Sequence, residues 1–137
     1  MITAFDHYTV RCADLQTSWR FYADALGLNV AERLGVSAPA AIASIGETQV
    51  VHLFQASPEQ EQSFGRLAIA HDPATPAWRT GRVQHVGFWA RDVAEMKRRL
   101  DAHEVPYRER EMVEKYQLVV YDPDSTEIEI NFPLDQV

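Results

Sequence analysis

Cysteine is all but missing from this chain: Cys12 stands alone among 137 residues. No internal disulfide can form, which points to a reducing, cytoplasmic setting. Long apolar runs are missing as well, and no window approaches the ~18 consecutive apolar residues of a membrane span. The opening stretch MITAFDHYTV has no basic region followed by an apolar one, so no secretory signal is expected. There is no basic excess either. A net charge of −7 argues against a nucleic-acid partner. Lys97, Arg98 and Arg99 form the one basic cluster, and their spacing reads as a solvated helix face. The composition that remains, 46% hydrophobic and 24% charged, is globular rather than disordered. At this length the chain makes one compact unit or two small halves sharing a core.

Periodicity divides the chain into two similar runs. A strand is expected over about Phe5–Arg11. Asp14 then caps a helix to about Leu26, whose Leu15, Trp19, Tyr22 and Leu26 form one buried stripe. Gly27 stops that helix in a left-handed conformation. Strands follow at about Leu28–Arg33, Ala40–Ile45 and Gln49–Phe54, with Gly46, Glu47 and Thr48 as the last turn. The second half repeats the order: a strand over Val83–Ala90, a helix from Asp92 to about His103, and strands at Val105–Glu109, Gln117–Tyr121 and Glu127–Phe132. Module one covers about 1–55 and module two about 83–137, and the repeat is the strongest organising signal. The linker, about 56–82, is long for a simple connection. It holds Pro58, Phe64, His71, Pro73, Pro76 and Trp78, and reads either as an inter-module crossing or as a lid.

Strand alternation decides which side chains share a face. Val51 with Leu53, Val86 with Phe88, and Ile128 with Ile130 form the natural core side. The other side carries Phe5, His7, Thr9 and Arg11 on the first strand, and Val50, His52 and Phe54 on the fourth. It continues with His85, Gly87 and Trp89 on the fifth, and Glu127, Glu129 and Asn131 on the eighth. His7, His52, His85 and Glu129 are three imidazoles and a carboxylate, a donor set suited to a borderline divalent metal. A lone strand histidine is more often a surface or satisfied core residue; four at matched positions in two halves form a pattern.

Three runs carry a family resemblance that spans nearly the whole chain. They are His7–Leu28 (HYTVRCADLQTSWRFYADALGL), Val83–Val93 (VQHVGFWARDV) and Tyr121–Ile130 (YDPDSTEIEI). In this order they resemble the vicinal oxygen chelate superfamily, the relatives of glyoxalase, bleomycin resistance protein and extradiol dioxygenase. The resemblance implies an α+β fold of two tandem βαβββ modules whose sheets form an open cup. It implies metal ligands at His7, His85 and Glu129, with His52 at the position that often gives a fourth. Two departures stand out. A glutamate is usual where His52 sits, and a glycine is usual where Ser125 sits.

The resemblance further implies one divalent ion per site, drawn from Zn, Ni, Co, Fe or Mn, and a homodimer whose sites draw on one chain or two. His52 and Glu129 are the candidate catalytic residues. Thr9, Arg11, Phe54, Trp89 and Tyr121 are candidate substrate contacts. Each has a plainer alternative: Arg11 as the partner of an exposed carboxylate, Phe54 and Trp89 as core plugs, Tyr121 as an exposed strand tyrosine. Glu127 reads as a rim residue. Tyr116 is a further candidate donor, and His71 and His103 are not expected to ligate. The function implied first is a metal-dependent lyase or isomerase, which chelates a small substrate through vicinal oxygens and stabilises an enediolate. An extradiol dioxygenase is second, because Val119 stands where the expected Tyr-x-x-Asp-Pro places its tyrosine and 108–115 holds no histidine. An epoxide-opening enzyme resembling fosfomycin-resistance proteins is weaker. A non-enzymatic antibiotic binder is the alternative of another class. Small molecules are the expected partners, with no membrane or nucleic acid.

Overall fold

The computed structural model describes residues 1, 4–55, 57 and 84–136. The linker expected at about 56–82, with both its readings, falls outside the described residues apart from Ser57. Among the described residues are eight strands: β1 (Tyr8–Arg11), β2 (Asn29–Glu32), β3 (Ala40–Ile45), β4 (Thr48–Phe54), β5 (His85–Trp89), β6 (Tyr107–Glu111), β7 (Tyr116–Tyr121) and β8 (Glu127–Phe132). They form two four-stranded sheets of the same order, β1-β4-β3-β2 and β5-β8-β7-β6. The β1–β4 and β5–β8 pairs are parallel, and the remaining pairs antiparallel. The α+β class that the resemblance implies is what the chain adopts.

Among the described residues, one helix accompanies each sheet. The first, α1 (Leu15–Arg20), opens at Asp14, whose side chain accepts from the Thr17 N–H at 2.7 Å. It continues as a π-helical turn over Phe21–Ala25, closed by Leu26 N–H donating to the Phe21 carbonyl at 3.0 Å. The wider turn buries Phe21, Tyr22 and Ala25 together. Gly27, at φ +75°, then ends the helix, as its lack of a Cβ permits. The second helix, α2 (Val93–Ala102), opens at Asp92, which accepts from the Glu95 N–H.

Several boundaries differ from expectation by one to three residues. β1 starts at Tyr8, so His7 lies just before it. β6 starts at Tyr107 because Val105 is spent closing α2, its N–H donating to the Leu100 carbonyl at 2.8 Å. Thr48 belongs to β4, pairing with Ile45 across a turn of Gly46 and Glu47.

The inward stripes of both halves merge into one core. Val51, Leu53, Leu100, Leu118, Val120, Ile128 and Phe132 are fully inaccessible within it. Each such aliphatic contributes roughly 1.5–3 kcal/mol by leaving water. A polar clasp joins the halves. Asp124, in the turn before β8, accepts from the Ala13 N–H at 2.7 Å and the Ser18 hydroxyl at 2.6 Å. Asp122 accepts from the buried Tyr22 hydroxyl at 2.7 Å. Ser125 holds this turn at φ +70°, the left-handed conformation its usual glycine would take more cheaply.

Candidate metal centre

The β5–β8 register builds the denser group of donors. It sets His85 opposite Glu127 and Gly87 opposite Glu129. His85 Nε2 lies 3.8 Å from Glu129 Oε2. Its Nδ1 is 2.8 Å from the side-chain oxygen Oε1 of Gln84, and donation from Nδ1 to that acceptor leaves Nε2 with the lone pair. The Nε2 lone pair therefore faces the carboxylates, the tautomer a metal ligand needs. One ligand atom each from His85, Glu127 and Glu129 lies within 4.8 Å of the others.

Neighbours fix both carboxylates. Gln117 Nε2 donates to Glu129 Oε2 at 2.9 Å and to Asn131 Oδ1 at 2.7 Å, and both amides are buried. Arg110 stands 3.6 Å from Glu129 Oε1. The Tyr121 hydroxyl donates to Glu127 at 2.5 Å, which raises the phenol's pKa. Gly87 lies close against the Asn131 amide, which a Cβ there would approach to 3.3 Å.

The first half places its two histidines differently. Their rings stack with centroids 3.6 Å apart and planes at 25°. His7 Nδ1 pairs with Asp6. His52 is only 6% exposed, and both its ring nitrogens are engaged. Arg33 lies 2.8 Å from Nδ1, and a guanidinium can only donate, so Nδ1 is the acceptor. Nε2 then carries the proton toward Gln49 Oε1 at 3.3 Å. Burial lowers the His52 pKa below imidazole's ordinary value, and the nearby His7 and Arg33 lower it further.

The remaining site candidates ring these two groups. Thr9 is exposed in register with His52, and Arg11 with the half-buried Phe54. Tyr121 is exposed and holds Glu127. Trp89 is 67% exposed, with the Lys115 ammonium 6.0 Å above its ring, so it is no core plug. Tyr116 is buried and donates to Glu109. His103 caps the end of α2, and His71 is not among the described residues. Beside His85 and Gly87 opens a cavity of about 460 Å³, walled by Tyr8, Val50 and Phe88.

The four expected ligands thus meet as two pairs, His7 with His52 and His85 with Glu129. Among the described residues, the mutually close donor group contains neither His7 nor His52. Glu127 departs from its expected rim position: its carboxylate is within that group because β8 is parallel to β5 and sets it across from His85. Alternation had already put Glu127 on the His85 face; the strand pairing was the missing signal. Gln117 and Arg110 also escaped notice, since only the β6–β7 register brings them alongside each other. Arg33 had no sequence signal, as it lies beyond the end of β2. The donor set fits a divalent cation: an imidazole lone pair beside two carboxylates, in a protein with a marked negative charge.

Residues 4–130 match the model of the Glyoxalase/Bleomycin resistance protein/Dioxygenase superfamily. No curated protein gives a significant match. Solved structures do. A lactoylglutathione lyase from Agrobacterium tumefaciens is 24% identical, with 96% of this chain and 94% of that one covered and a TM-score of 0.62. TnmS3, an antibiotic binding protein from a Streptomyces species, is 18% identical, with 97% and 98% covered and a TM-score of 0.67. A glutamate-to-glutamine mutant of the fosfomycin resistance protein FosX from Listeria monocytogenes, complexed with Mn(II) and 1S,2S-dihydroxypropylphosphonic acid, is 17% identical, with 99% and 97% covered and a TM-score of 0.67. At these identities the likeness is one of fold.

Proposed function

The chain belongs to the glyoxalase/bleomycin resistance protein/dioxygenase superfamily, and on that premise we propose that it is a divalent-metal-dependent lyase or isomerase. Its substrate is a small molecule presenting two neighbouring oxygens. The observation that carries this reading is the His85 Nε2 lone pair facing Glu129 across 3.8 Å, with Gln84 fixing the tautomer. His7, His85 and Glu129 are the proposed ligands. His7 and His85 stand on different sheets, and a homodimer in which each site takes donors from both chains would unite them. The ion, one of Zn, Ni, Co, Fe or Mn, would supply Lewis-acid polarisation of the two substrate oxygens.

The protein's own groups move and hold protons. Glu129 is the carboxylate that accepts a proton from the carbon beside the substrate carbonyl, while Gln117 and Arg110 keep it oriented. His52 stays neutral because burial disfavours its cation. Its Nε2–H exchanges the long Gln49 contact for a substrate oxygen and donates as negative charge grows there. Thr9, Arg11, Phe54, Trp89 and Tyr121 form the substrate-facing surround. A cytoplasmic setting suits this chemistry.

A second reading, a non-enzymatic small-molecule binder, draws on the mostly apolar cavity of about 460 Å³ beside His85. Proton exchange separates the two. Metal-loaded protein is incubated in D₂O with a panel of α-hydroxy and α-keto carbonyl compounds, and deuterium uptake beside the carbonyl is followed by NMR. The enzyme reading expects uptake into at least one compound, lost in Glu129→Gln. Tight binding without uptake would favour the binder.

A further inference from the structure

We propose that Glu127 is a protein ligand of the ion and that His52 is not. This rests on the metal reading above and refines which side chains hold the ion. The parallel register sets Glu127 directly across from His85, so the two side chains leave one face of adjacent strands. Their ligand atoms and that of Glu129 lie within 4.8 Å of one another. Donors around a single ion at bonds of about 2.0–2.2 Å sit roughly 3 Å apart, so small rotations close the group. Without a cation, the two carboxylates repel. Arg110, at 3.6 Å from Glu129, offsets part of that charge, and a divalent ion between the carboxylates offsets the rest.

Glu127 also has the outer support of a ligand. The Tyr121 hydroxyl donates to one of its oxygens at 2.5 Å, which orients the carboxylate without drawing it from His85. His52 lacks what a ligand needs. Its Nδ1 lone pair is taken by Arg33 at 2.8 Å, and its Nε2 bears the ring proton toward Gln49. Stacked face to face on His7 at 3.6 Å, it supports that ring instead. The resulting set, His7, His85, Glu127 and Glu129, has two carboxylates rather than one. It favours an oxygen-loving ion such as Mn(II) more than a three-imidazole set would. With Glu127 helping to hold the ion, Glu129 would be available to accept the substrate proton.

The test is Mn(II) binding to the metal-stripped full chain, read by loss of the free-ion EPR signal. Glu127→Gln keeps the shape of the side chain and an oxygen for Tyr121, and circular dichroism verifies its fold. The expected result is an affinity loss of about 100-fold or more in Glu127→Gln, about tenfold in Tyr121→Phe, and well under tenfold in His52→Gln. Glu127→Gln binding Mn(II) as the parent does would overturn the proposal while leaving the metal reading intact, provided Glu129→Gln still weakens binding. A loss in His52→Gln as large as in Glu129→Gln would overturn it equally. A parent protein that takes up no Mn(II), or His85→Ala binding unchanged, would overturn the metal reading and this proposal with it.

Discussion

The two sheets share strand order and parallel pairings, yet their polar faces hold opposite kinds of donor. On the first, His52 is buried with each nitrogen already partnered and its ring stacked on His7. On the second, His85 turns a lone pair toward two carboxylates that Gln117 and Tyr121 orient. On the first face His52 is tied into a hydrogen-bonded network; the second is left with donor capacity to spare. A repeated topology therefore sets where functional side chains stand without deciding what they do. That decision falls to partners such as Arg33, which bonds His52, and Gln84, which bonds His85.

The largest effect expected of a change between the halves concerns the clasp. Asp124→Ala removes acceptors for Ala13 and Ser18 and leaves the buried Ser18 hydroxyl with only its longer bond to the Asp14 carbonyl. Bonds to a charged acceptor of this kind predict a loss of about 2–3 kcal/mol in urea unfolding. A change under a few tenths would mean the halves are joined by the apolar core alone.

A smaller effect separates the two histidine environments by pH. The folded-state pKa of His52 is depressed, so the native protein binds its proton less readily than the unfolded chain does. Stability tied to neutral His52 is then present above the ordinary imidazole value of 6.5 and is lost as pH falls below it. The metal-free protein should show a Tm that declines between pH 7.5 and 5.5, and His52→Gln should flatten that decline. An unchanged slope in the variant would assign the titration elsewhere.

The smallest effect lies in the turn before β8. Ser125→Gly relieves a left-handed φ of +70° and should raise stability by about 0.5–1 kcal/mol. Any destabilisation would mean that the serine side chain contributes more than its backbone strain costs.

Much of the fold was legible in the sequence. Alternation identified the core side, because Val51, Leu53, Ile128 and Ile130 fall on one strand parity and all are buried. The capping aspartates and Gly27 marked the helix ends. Boundaries slipped where tertiary bonds spend a residue on closure, as Val105 does after α2. The candidate site was legible in part. Periodicity names which residues share a strand face, and so gave His85, Glu127 and Glu129 alike. It carries no information on which residues of two strands stand opposite, so Glu127 was assigned to the rim. Nor does it show a partner such as Arg33, whose role depends on a contact 19 residues away.

Elemental analysis of untagged protein, purified without added metal and alongside His85→Ala, tests the central claim most directly. The account predicts about one divalent ion per chain, lost in the variant. Absence of metal from the parent even after titration, or full retention in His85→Ala, would contradict it.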